Sequence, residues 1–292
     1  MFVGRTALIT GGTSGLGYQA AKAIARSGSG WTVAITGRDE QRAAARARRL
    51  SGETGGAPTA GLGLELASLA SVRGFADGLA ERELPPLGAV VCNAGIQIVT
   101  GMTHTDDGFE TTFAVNHLGH YLLINLLLDR LAEPARIVIV ASDTHDPDRR
   151  TGMPDPDLTD ARQLANPVEQ PDETAVDGRR RYTTSKLCNV ITAYALARRL
   201  SAPSGNGGAR RITVNAFDPG LMPGSGLARD SGPVQRFAWR FLMPALTLLP
   251  INAHTPRASG AALARLVTDP ELEGVTGEYF EGKRIARSSK DS

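Results

Sequence analysis

The sequence contains few cysteine, lysine and aromatic residues, and it has no long apolar run. Two of its 292 residues are cysteine, and 5% are aromatic. Both cysteines, Cys92 and Cys188, lie in apolar segments, and no signal peptide is recognisable, so we expect a reduced, cytoplasmic protein. No apolar run reaches the roughly 18 residues that a membrane-spanning helix needs, and we therefore expect no transmembrane segment.

The charges are nearly balanced, with 32 basic residues against 30 acidic residues and a net charge of +2. This balance produces no strong field for a polyanion, so we expect no nucleic-acid partner. Only four basic residues are lysines, which makes the position of each lysine informative. The histidines show no sustained metal-ligand spacing, and we expect no metal site. They include His117, His120, His145 and His254.

Apolar segments alternate with segments of helical length along most of the chain. Strands are predicted at residues 3–10, 31–36, 60–64, 89–92, 136–141, 211–217 and 277–280. Helices are predicted at residues 18–27, 40–50, 68–82, 108–131, 183–200 and 255–266. Strands that are apolar throughout indicate a parallel sheet covered on both faces. The pattern therefore predicts an α/β fold: a Rossmann-type doubly wound parallel sheet of about seven strands in one domain, residues 1–292.

Three stretches depart from this alternation. Residues 143–181 contain five prolines and many Asp and Arg, which predicts a loop-rich insertion. Residues 221–254 are irregular and include an apolar segment at 234–249. Residues 283–292 are polar, and we expect a mobile tail.

A glycine-rich turn follows the first predicted strand, where residues 10–17 read TGGTSGLG. Such a turn at the start of a helix can bind a pyrophosphate, because glycine permits close approach of the backbone and the helix N-terminus favours an anion. Thr13 and Ser14 add neutral donors. A glycine-rich turn alone is as often structural, but its position after the first strand favours a cofactor. Its spaced glycines are Gly11, Gly15 and Gly17.

The end of the second predicted strand indicates which dinucleotide would bind. An enzyme that uses NAD commonly has an acidic residue there, whereas a basic residue favours the 2′-phosphate of NADP. Here the strand ends in Thr36 and Gly37, and Arg38 follows. The planar guanidinium of Arg38 suits a phosphate, so we favour NADP(H). The alternative is that Arg38 occupies a solvated helix start beside Asp39.

Tyr182 and Lys186 are four residues apart and share one face of a predicted helix. A free tyrosine, with a pKa of about 10, is a poor acid at neutral pH, but a nearby cation lowers that pKa. Proton transfer to a carbonyl oxygen then becomes feasible. Ser142 follows the strand at 136–141, at the sheet edge where ligands bind. Asn116 lies in an apolar helix, where its amide needs a hydrogen-bonded network.

Together these motifs resemble the short-chain dehydrogenase/reductase family. The matching residues are 10–17, Cys92-Asn93-Ala94-Gly95, Asn116, Ser142, 182–186 and Asp218-Pro219-Gly220. The resemblance implies that Tyr182 is the general acid/base, that Lys186 lowers its pKa and holds the nicotinamide ribose, and that Ser142 orients the substrate carbonyl. It also implies that Asn116 anchors a water-linked proton relay. The implied cofactor contacts are Gly11, Thr13, Ser14, Gly15, Leu16, Gly17, Arg38, Glu65, Leu66, Asn93, Ala94, Gly95, Tyr182, Lys186, Pro219 and Gly220.

A finer resemblance is to the branch of retinol dehydrogenases and light-dependent protochlorophyllide reductases, through residues 37–38, 115–120, 185–189 and 277–289. Three features depart from it. No N-terminal anchor precedes Val3, which counts against a membrane-bound retinol enzyme. Leu221 stands where the protochlorophyllide enzymes have a cysteine, although Cys188 matches their other cysteine. Glu65 replaces an aspartate near the adenine.

The resemblance implies an NADP(H)-dependent ketone or aldehyde reductase, or the reverse alcohol dehydrogenase. Residues 221–254 would form a lid over a bulky lipophilic small molecule, or else a partner or membrane surface. The insertion at 143–181 shapes the pocket or covers an oligomer surface, which leaves monomer and homodimer open. Arg179, Arg180 and Arg181 are expected in a solvated loop, with contact to an acidic substrate as the alternative. The alternative functions are a non-catalytic cofactor-sensing regulator and a C=C reductase.

Overall fold

A computed structural model describes residues 4–28, 30–168, 171–203, 209–222 and 252–292. Its eight-stranded sheet has the order β3-β2-β1-β4-β5-β6-β7-β8. The strands are β1 (Arg5–Ile9), β2 (Trp31–Gly37), β3 (Thr59–Gly63), β4 (Leu87–Cys92), β5 (Leu131–Val140), β6 (Ile212–Asp218), β7 (Tyr279–Glu281) and β8 (Arg284–Ala286). Every neighbouring pair is parallel except β7 and β8, which are antiparallel.

Helices cover both faces of this sheet. They are α1 (Gly15–Ala25), α2 (Glu40–Glu53), α3 (Leu69–Gly78), α4 (Thr111–Phe113), α5 (Gly119–Leu127), α6 (Ala161–Ala165), α7 (Ala175–Ser201) and α8 (Pro256–Thr268). A π-helical turn, Ala114–Leu118, joins α4 to α5. Short 3-10 turns lie at Leu79–Glu81, Leu128–Arg130, Asp143–His145, Pro147–Arg149 and Pro270–Leu272.

The predicted doubly wound sheet is confirmed, and its strands are apolar throughout because both faces are buried. Leu8 of β1 belongs to the same core as Leu123 of α5. The next residue, Ile9, points to the opposite face and belongs to the core that contains Ile24 of α1. Burial of each such side chain contributes about 1.5–3 kcal/mol, so the alternation along each strand stabilises both layers.

The strand order places a crevice beside β1. The chain runs outward from β1 through β2 to β3 and then returns to form β4 on the other side of β1. At such a reversal the connections leave in opposite directions, and ligands bind at the carboxyl ends of the two central strands. The glycine-rich turn after β1 and Asn93 after β4 therefore meet at this crevice.

The helix that carries Tyr182 begins earlier than the predicted residue 183. It starts at Ala175, where the hydroxyl of Thr174 accepts a backbone N–H and the side chain of Asp177 bonds back to Thr174. This capping box satisfies the free amides of the first turn. The expected solvated loop around Arg181 is thus wrong, because residues 175–181 are helical.

The apolar helix predicted at 108–131 is shorter and is divided by the π-helical turn. The carboxylate of Glu110 accepts the backbone N–H groups of Thr112 and Phe113 at 2.9 and 2.6 Å, which fixes the helix start. The last residue of the predicted helix, Leu131, is instead the first residue of β5, a strand that was predicted to begin at residue 136.

The expectation of a mobile tail after residue 283 is not met. Strand β8 pairs with β7, and the backbone N–H of Ser289, a residue only 6% exposed, donates to His145 Nε2 at 3.2 Å. The hydroxyls of Tyr194 and Ser288 lie 2.7 Å apart. The prediction was based on the polar side chains of this segment. The pairing with β7 and the contact with His145 are instead made by backbone groups, which side-chain polarity does not reveal.

Some predictions fall outside the described residues. Most of the proposed lid at 221–254, including the whole apolar segment at 234–249, lies there. Across the described ranges, no helix is long and apolar enough to cross a membrane. In the same ranges, no group of three or more His, Cys, Asp or Glu side chains is placed to hold a metal ion.

Candidate active site

The glycine-rich turn is joined to the end of β4 by Thr10 and Asn93. The hydroxyl oxygen of Thr10 accepts the backbone N–H groups of Asn93 and Ala94 at 2.9 and 3.0 Å. In return, Asn93 Nδ2 donates to the carbonyl of Thr10 at 2.7 Å. The structure thus brings the two predicted cofactor segments together across the crevice.

Glycine is required in this turn for two separate reasons. Gly11 and Gly15 have φ values of +62° and +56°, which side chains with a Cβ rarely adopt. At Gly17 a Cβ would lie 2.4 Å from Asn93 Nδ2, so a side chain there would collide with the β4 loop.

The first turn of α1 contains no acidic residue, and Ser14 at its N-cap makes no side-chain capping bond. Its leading amides therefore remain free for an anion. Leu16 differs from its predicted neighbours, because its side chain is buried in the core beneath the turn.

Three further predicted cofactor residues lie at the ends of β2 and β3. Arg38 directly follows β2 and is exposed. Glu65 is half-buried, and its carboxylate accepts the backbone N–H of Ala67 at 2.9 Å. The side chain of Leu66 is buried in the core. Of the two charged residues among these three, Glu65 is hydrogen-bonded within its own loop, whereas Arg38 is not.

Asn116 connects the β4 loop with α7. Its Nδ2 donates to the carbonyl of Ile96 at 2.9 Å and to Ser185 Oγ at 3.0 Å, while its Oδ1 accepts the N–H of Ile96 at 2.8 Å. The side chain is fully buried, so these bonds remove the penalty of an unpaired amide. A Cβ on Gly95 would lie 3.4 Å from Asn116 Oδ1 and 3.6 Å from Lys186 Nζ. Gly95 therefore lies directly beside the predicted catalytic residues.

Lys186 is buried beneath the site, with 4% of its surface exposed. Its Nζ donates to the carbonyl of Val140 at 3.1 Å and lies 5.6 Å from the centroid of the Tyr182 ring. Burial lowers the pKa of Lys186 to about 8, although the nearby Asp218 carboxylate raises it. A partly desolvated ammonium with one protein acceptor retains donors for a ribose hydroxyl.

The pKa of Tyr182 differs from the sequence-based expectation. Burial raises it, the carboxylates of Asp218 and Asp143 raise it further, and the nearby Ser142 hydroxyl lowers it. The net direction is upward, because desolvation and two negative charges disfavour the phenolate more than its partners stabilise it. Tyr182 is therefore a neutral phenol in this structure, the form that can donate a proton to a carbonyl oxygen.

Ser142 stands at the carboxyl end of β5, as predicted. Its Oγ donates to Asp143 Oδ1 at 3.3 Å, and its carbonyl lies 2.5 Å from His145 Nδ1. Because His145 Nε2 accepts the N–H of Ser289, Nδ1 must hold the proton that binds the Ser142 carbonyl. The C-terminal segment thereby supports the loop that holds Ser142.

Sequence reasoning assigned no role to a pair of acids in the site, Asp143 and Asp218. Asn252 Nδ2 donates to Asp218 Oδ2 at 2.8 Å and to Asp143 Oδ2 at 3.4 Å. Burial, followed by the charge of Asp143, raises the pKa of Asp218 to about 7. Asp143 directly follows Ser142, and Asp218 directly precedes Pro219. Because Ser142 and Pro219 were predicted site residues, these positions in the sequence could have indicated the two acids.

The turn at Pro219 and Gly220 borders this pair. The carbonyl of Pro219 accepts the hydroxyl of Ser259 at 2.7 Å. Gly220 has φ +72°, and its N–H donates to Asp218 Oδ1 at 2.9 Å. A Cβ on Gly220 would lie 2.6 Å from Asn252 Oδ1, so glycine allows Asn252 to reach the acids.

Arg181, directly before Tyr182, is engaged with two carboxylates. Its Nη1 contacts Glu173, and its Nε lies 3.4 Å from Glu110, a residue with no exposed surface. Since Glu110 also fixes the start of α4, this ion pair ties the helix of Tyr182 to the helical segment of Asn116.

Comparison with known proteins agrees with this geometry. The short chain dehydrogenase family profile matches residues 5–149. Protochlorophyllide reductase A, chloroplastic, from Oryza sativa subsp. japonica is 37% identical over 96% of this chain and 73% of its own length. WW domain-containing oxidoreductase from Danio rerio is 34% identical over 94% of this chain and 60% of its own length.

Solved structures share the fold. A blue fluorescent protein from a metagenomic library, in complex with NADPH, superposes with a TM-score of 0.67 at 20% identity, covering 97% of this chain and 99% of that one. Pseudomonas aeruginosa RhlG in an NADP complex gives 0.67 at 24% identity, covering 95% and 94%.

The fold and the site define an oxidoreductase with a dinucleotide-type crevice. The chain belongs to the short-chain dehydrogenase/reductase family, in the branch of the protochlorophyllide reductases. The predicted family and enzyme class are confirmed.

Proposed function

We propose that this enzyme transfers hydride between NADP(H) and a ketone or aldehyde, or the corresponding alcohol, of a bulky lipophilic small molecule. The observation that carries the proposal is the neutral, buried phenol of Tyr182, which interacts with Ser142 and has the ammonium of Lys186 5.6 Å from its ring centroid. These are the groups needed to protonate and orient a carbonyl oxygen.

The crevice fits a dinucleotide. The backbone amides at the start of α1 are free to bind a pyrophosphate. Gly95 has no side chain, so its backbone beside Lys186 is not covered by one. The residues that would hold the cofactor are Gly11, Thr13, Ser14, Gly15, Gly17, Arg38, Asn93, Ala94, Gly95, Tyr182, Lys186, Pro219 and Gly220, with the backbones of Leu16, Glu65 and Leu66. A bound nicotinamide supplies or accepts the hydride.

In the reductive direction, Tyr182 donates its phenolic proton to the carbonyl oxygen as the carbonyl carbon receives the hydride. Ser142 orients that oxygen through its hydroxyl. Lys186 stabilises the phenolate that remains, and it binds the nicotinamide ribose. Asn116 keeps the loop after β4 fixed against α7 and anchors the proton relay that restores the phenol. In the oxidative direction the same proton moves back from alcohol to phenolate.

Arg38 supports the choice of NADP(H). It is exposed directly after β2, and no carboxylate occupies the strand end. An acidic residue there would instead accept the ribose hydroxyls of NAD.

A panel of ketones and aldehydes with NADPH, including steroid-like, retinoid and aromatic polyketide ketones, tests the proposal. With an accepted substrate, we expect Tyr182→Phe to lower kcat at least about 100-fold, because it removes the proton donor. Tyr194→Phe is the matched control, since Tyr194 lies on the same helix and its hydroxyl contacts Ser288.

Unchanged turnover in Tyr182→Phe would contradict the proposed role of this residue. If no carbonyl in the panel supports NADPH oxidation, the cofactor-sensing regulator becomes the better assignment.

A C=C reductase is the second candidate, favoured by the 37% identity to a protein named protochlorophyllide reductase. Two residues argue against the same photochemistry. Leu221 replaces the cysteine that the branch resemblance implies, and burial raises the pKa of Cys188 to about 11, so this thiol is neutral. We expect no light-dependent reduction of protochlorophyllide with NADPH, measured by product absorbance. Such reduction would favour the second candidate.

A further inference from the structure

Two carboxyl groups share one amide donor in the site, and both act electrostatically on the phenol of Tyr182. Asn252 Nδ2 reaches both Asp218 Oδ2 and Asp143 Oδ2, at 2.8 and 3.4 Å. Asp218 is only 1% exposed, and the backbone N–H groups of Gly220 and Asp143 also point at it. In the described part of the chain, no arginine or lysine forms an ion pair with either acid. The pair therefore places negative charge inside the site without a direct counter-ion.

Among the described residues, the guanidinium of Arg149 interacts electrostatically with Asp143 but forms its ion pairs with other acids. Its Nη2 donates to Glu281 at 3.2 Å, and its Nε lies 3.6 Å from Asp146. In the ranges that the structure describes, the titratable and charged groups that face the pair are Tyr182 and Lys186 of α7, Tyr279 and Glu281 of β7, and His145, Asp146 and Arg149 of the loop after β5. Tyr182 and Lys186 are the predicted catalytic groups among them.

A second connection to Tyr182 runs through Ser142. The Ser142 hydroxyl has one proton, which it donates to Asp143 Oδ1 at 3.3 Å. While this bond is formed, the same proton is not available to a phenolate at Tyr182 or to a substrate carbonyl, so Asp143 competes with both for the Ser142 donor. An ionised Asp143 therefore weakens the effect by which Ser142 lowers the pKa of Tyr182, and this acts in the same direction as the charge of the pair.

We propose that Asp143 and Asp218 are positioning residues that hold Tyr182 in its protonated form and thereby keep the proton donor for carbonyl reduction available at alkaline pH. This inference rests on the proposed role of Tyr182 as the proton donor. Burial raises the pKa of Asp218 to about 7, so the pair acquires its full charge only above neutral pH. That is the range in which an ordinary phenol begins to ionise.

The test measures the phenolate of Tyr182 by ultraviolet difference absorption, with NADP⁺ bound. The spectrum of the matching Tyr182→Phe protein is subtracted to isolate this one tyrosine. At a fixed alkaline pH at which circular dichroism shows every protein folded, we expect Asp218→Asn and Asp143→Asn each to increase the phenolate fraction about tenfold. That corresponds to a shift of about one pH unit, the lower end for a close charge.

Asp148→Asn is the matched control, because this carboxylate lies in the same loop with its side chain 75% exposed. It should leave the phenolate fraction unchanged. With an accepted carbonyl substrate, the alkaline limb of kcat/KM for reduction should also move to lower pH in the two test variants, a change that loss of structure alone would not produce.

An equal or smaller phenolate fraction in both variants would overturn the inference. If Asp218→Asn does not fold, Asp143→Asn decides the matter by the same measurement. The absorption readout needs no carbonyl substrate. A tenfold rise in the phenolate fraction without turnover of any carbonyl would support the effect of the two acids on Tyr182. It would contradict only the proposed function.

Discussion

The hydroxyl of Thr10, at the start of the glycine-rich turn, lies 2.8 Å from His120 Nε2, deep beneath the crevice. His120 Nδ1 lies 3.1 Å from the carbonyl of Asn116, which can only accept, so Nδ1 holds the ring proton. Thr10 therefore donates to Nε2, and the imidazole is neutral. One buried histidine thus links the cofactor turn with the helical segment of Asn116.

This neutral histidine predicts a pH-dependent stability. Burial lowers the pKa of His120 to about 4, and the charge of Lys186 lowers it further, whereas the unfolded chain has a value near 6.5. Between these values unfolding takes up a proton. Stability is therefore complete above pH of about 6.5, and it falls by about 1.4 kcal/mol per pH unit as the pH decreases towards 4.

Urea unfolding between pH 5 and 6.5 measures this dependence. We expect His120→Gln to have a smaller pH slope than wild type, whatever its absolute stability, because one titrating group has been removed. Identical slopes would show that His120 is not held neutral in the folded protein.

A pair of glycine substitutions tests the packing of the cofactor turn. Gly17→Ala would place a Cβ 2.4 Å from Asn93 Nδ2, and we expect a loss of about 1–3 kcal/mol and weaker NADPH binding. Gly74→Ala on α3 is the control, since a Cβ there meets nothing within 4 Å. It should stabilise the helix by up to about 1 kcal/mol. Thermal unfolding that ranks the two variants in the reverse order would contradict this account of the turn.

The ion pair before Tyr182 predicts a large difference between neighbouring arginines. Arg181→Ala leaves the buried carboxylate of Glu110 unpaired, and we expect a loss of about 3 kcal/mol in urea unfolding. Arg180→Ala removes an exposed pair with Asp177 and should lose less than about 1 kcal/mol. Equal losses would mean that Glu110 does not depend on Arg181. An increase in KM confined to acidic substrates would instead favour a substrate contact.

The proposed phosphate contact predicts a change of cofactor preference. Arg38→Asp removes a cation and adds an anion beside the expected 2′-phosphate, so we expect KM for NADPH to rise at least tenfold more than KM for NADH. Arg42→Asp, four residues further on at the start of α2, is a control for the added charge. Equal changes in both KM values for Arg38→Asp would contradict the assignment.

The prediction of the fold succeeded where local pattern and packing agree. Leu8 and Ile9 are both apolar because they face the two opposite cores of the sheet. The same continuous run of apolar residues predicted the other central strands. Strand β8 escaped prediction, since its three residues are mostly exposed and its pairing partner β7 supplies the order. The early start of α7 was obscured by the Asp-rich and Arg-rich sequence, although Thr174 and Asp177 had the spacing of a capping box.

The sequence by itself determined which chemical groups the enzyme has: a glycine-rich turn, a tyrosine and lysine on one helix face, and a serine at a strand end. These are local patterns, set by backbone geometry over a few residues. Tertiary structure alone decided their protonation. Asp143 and Asp218 meet through Asn252, and they oppose the effect expected of Lys186 on Tyr182. A pKa depends on burial and on the distances between charges, and the fold sets both by bringing distant segments of the chain together.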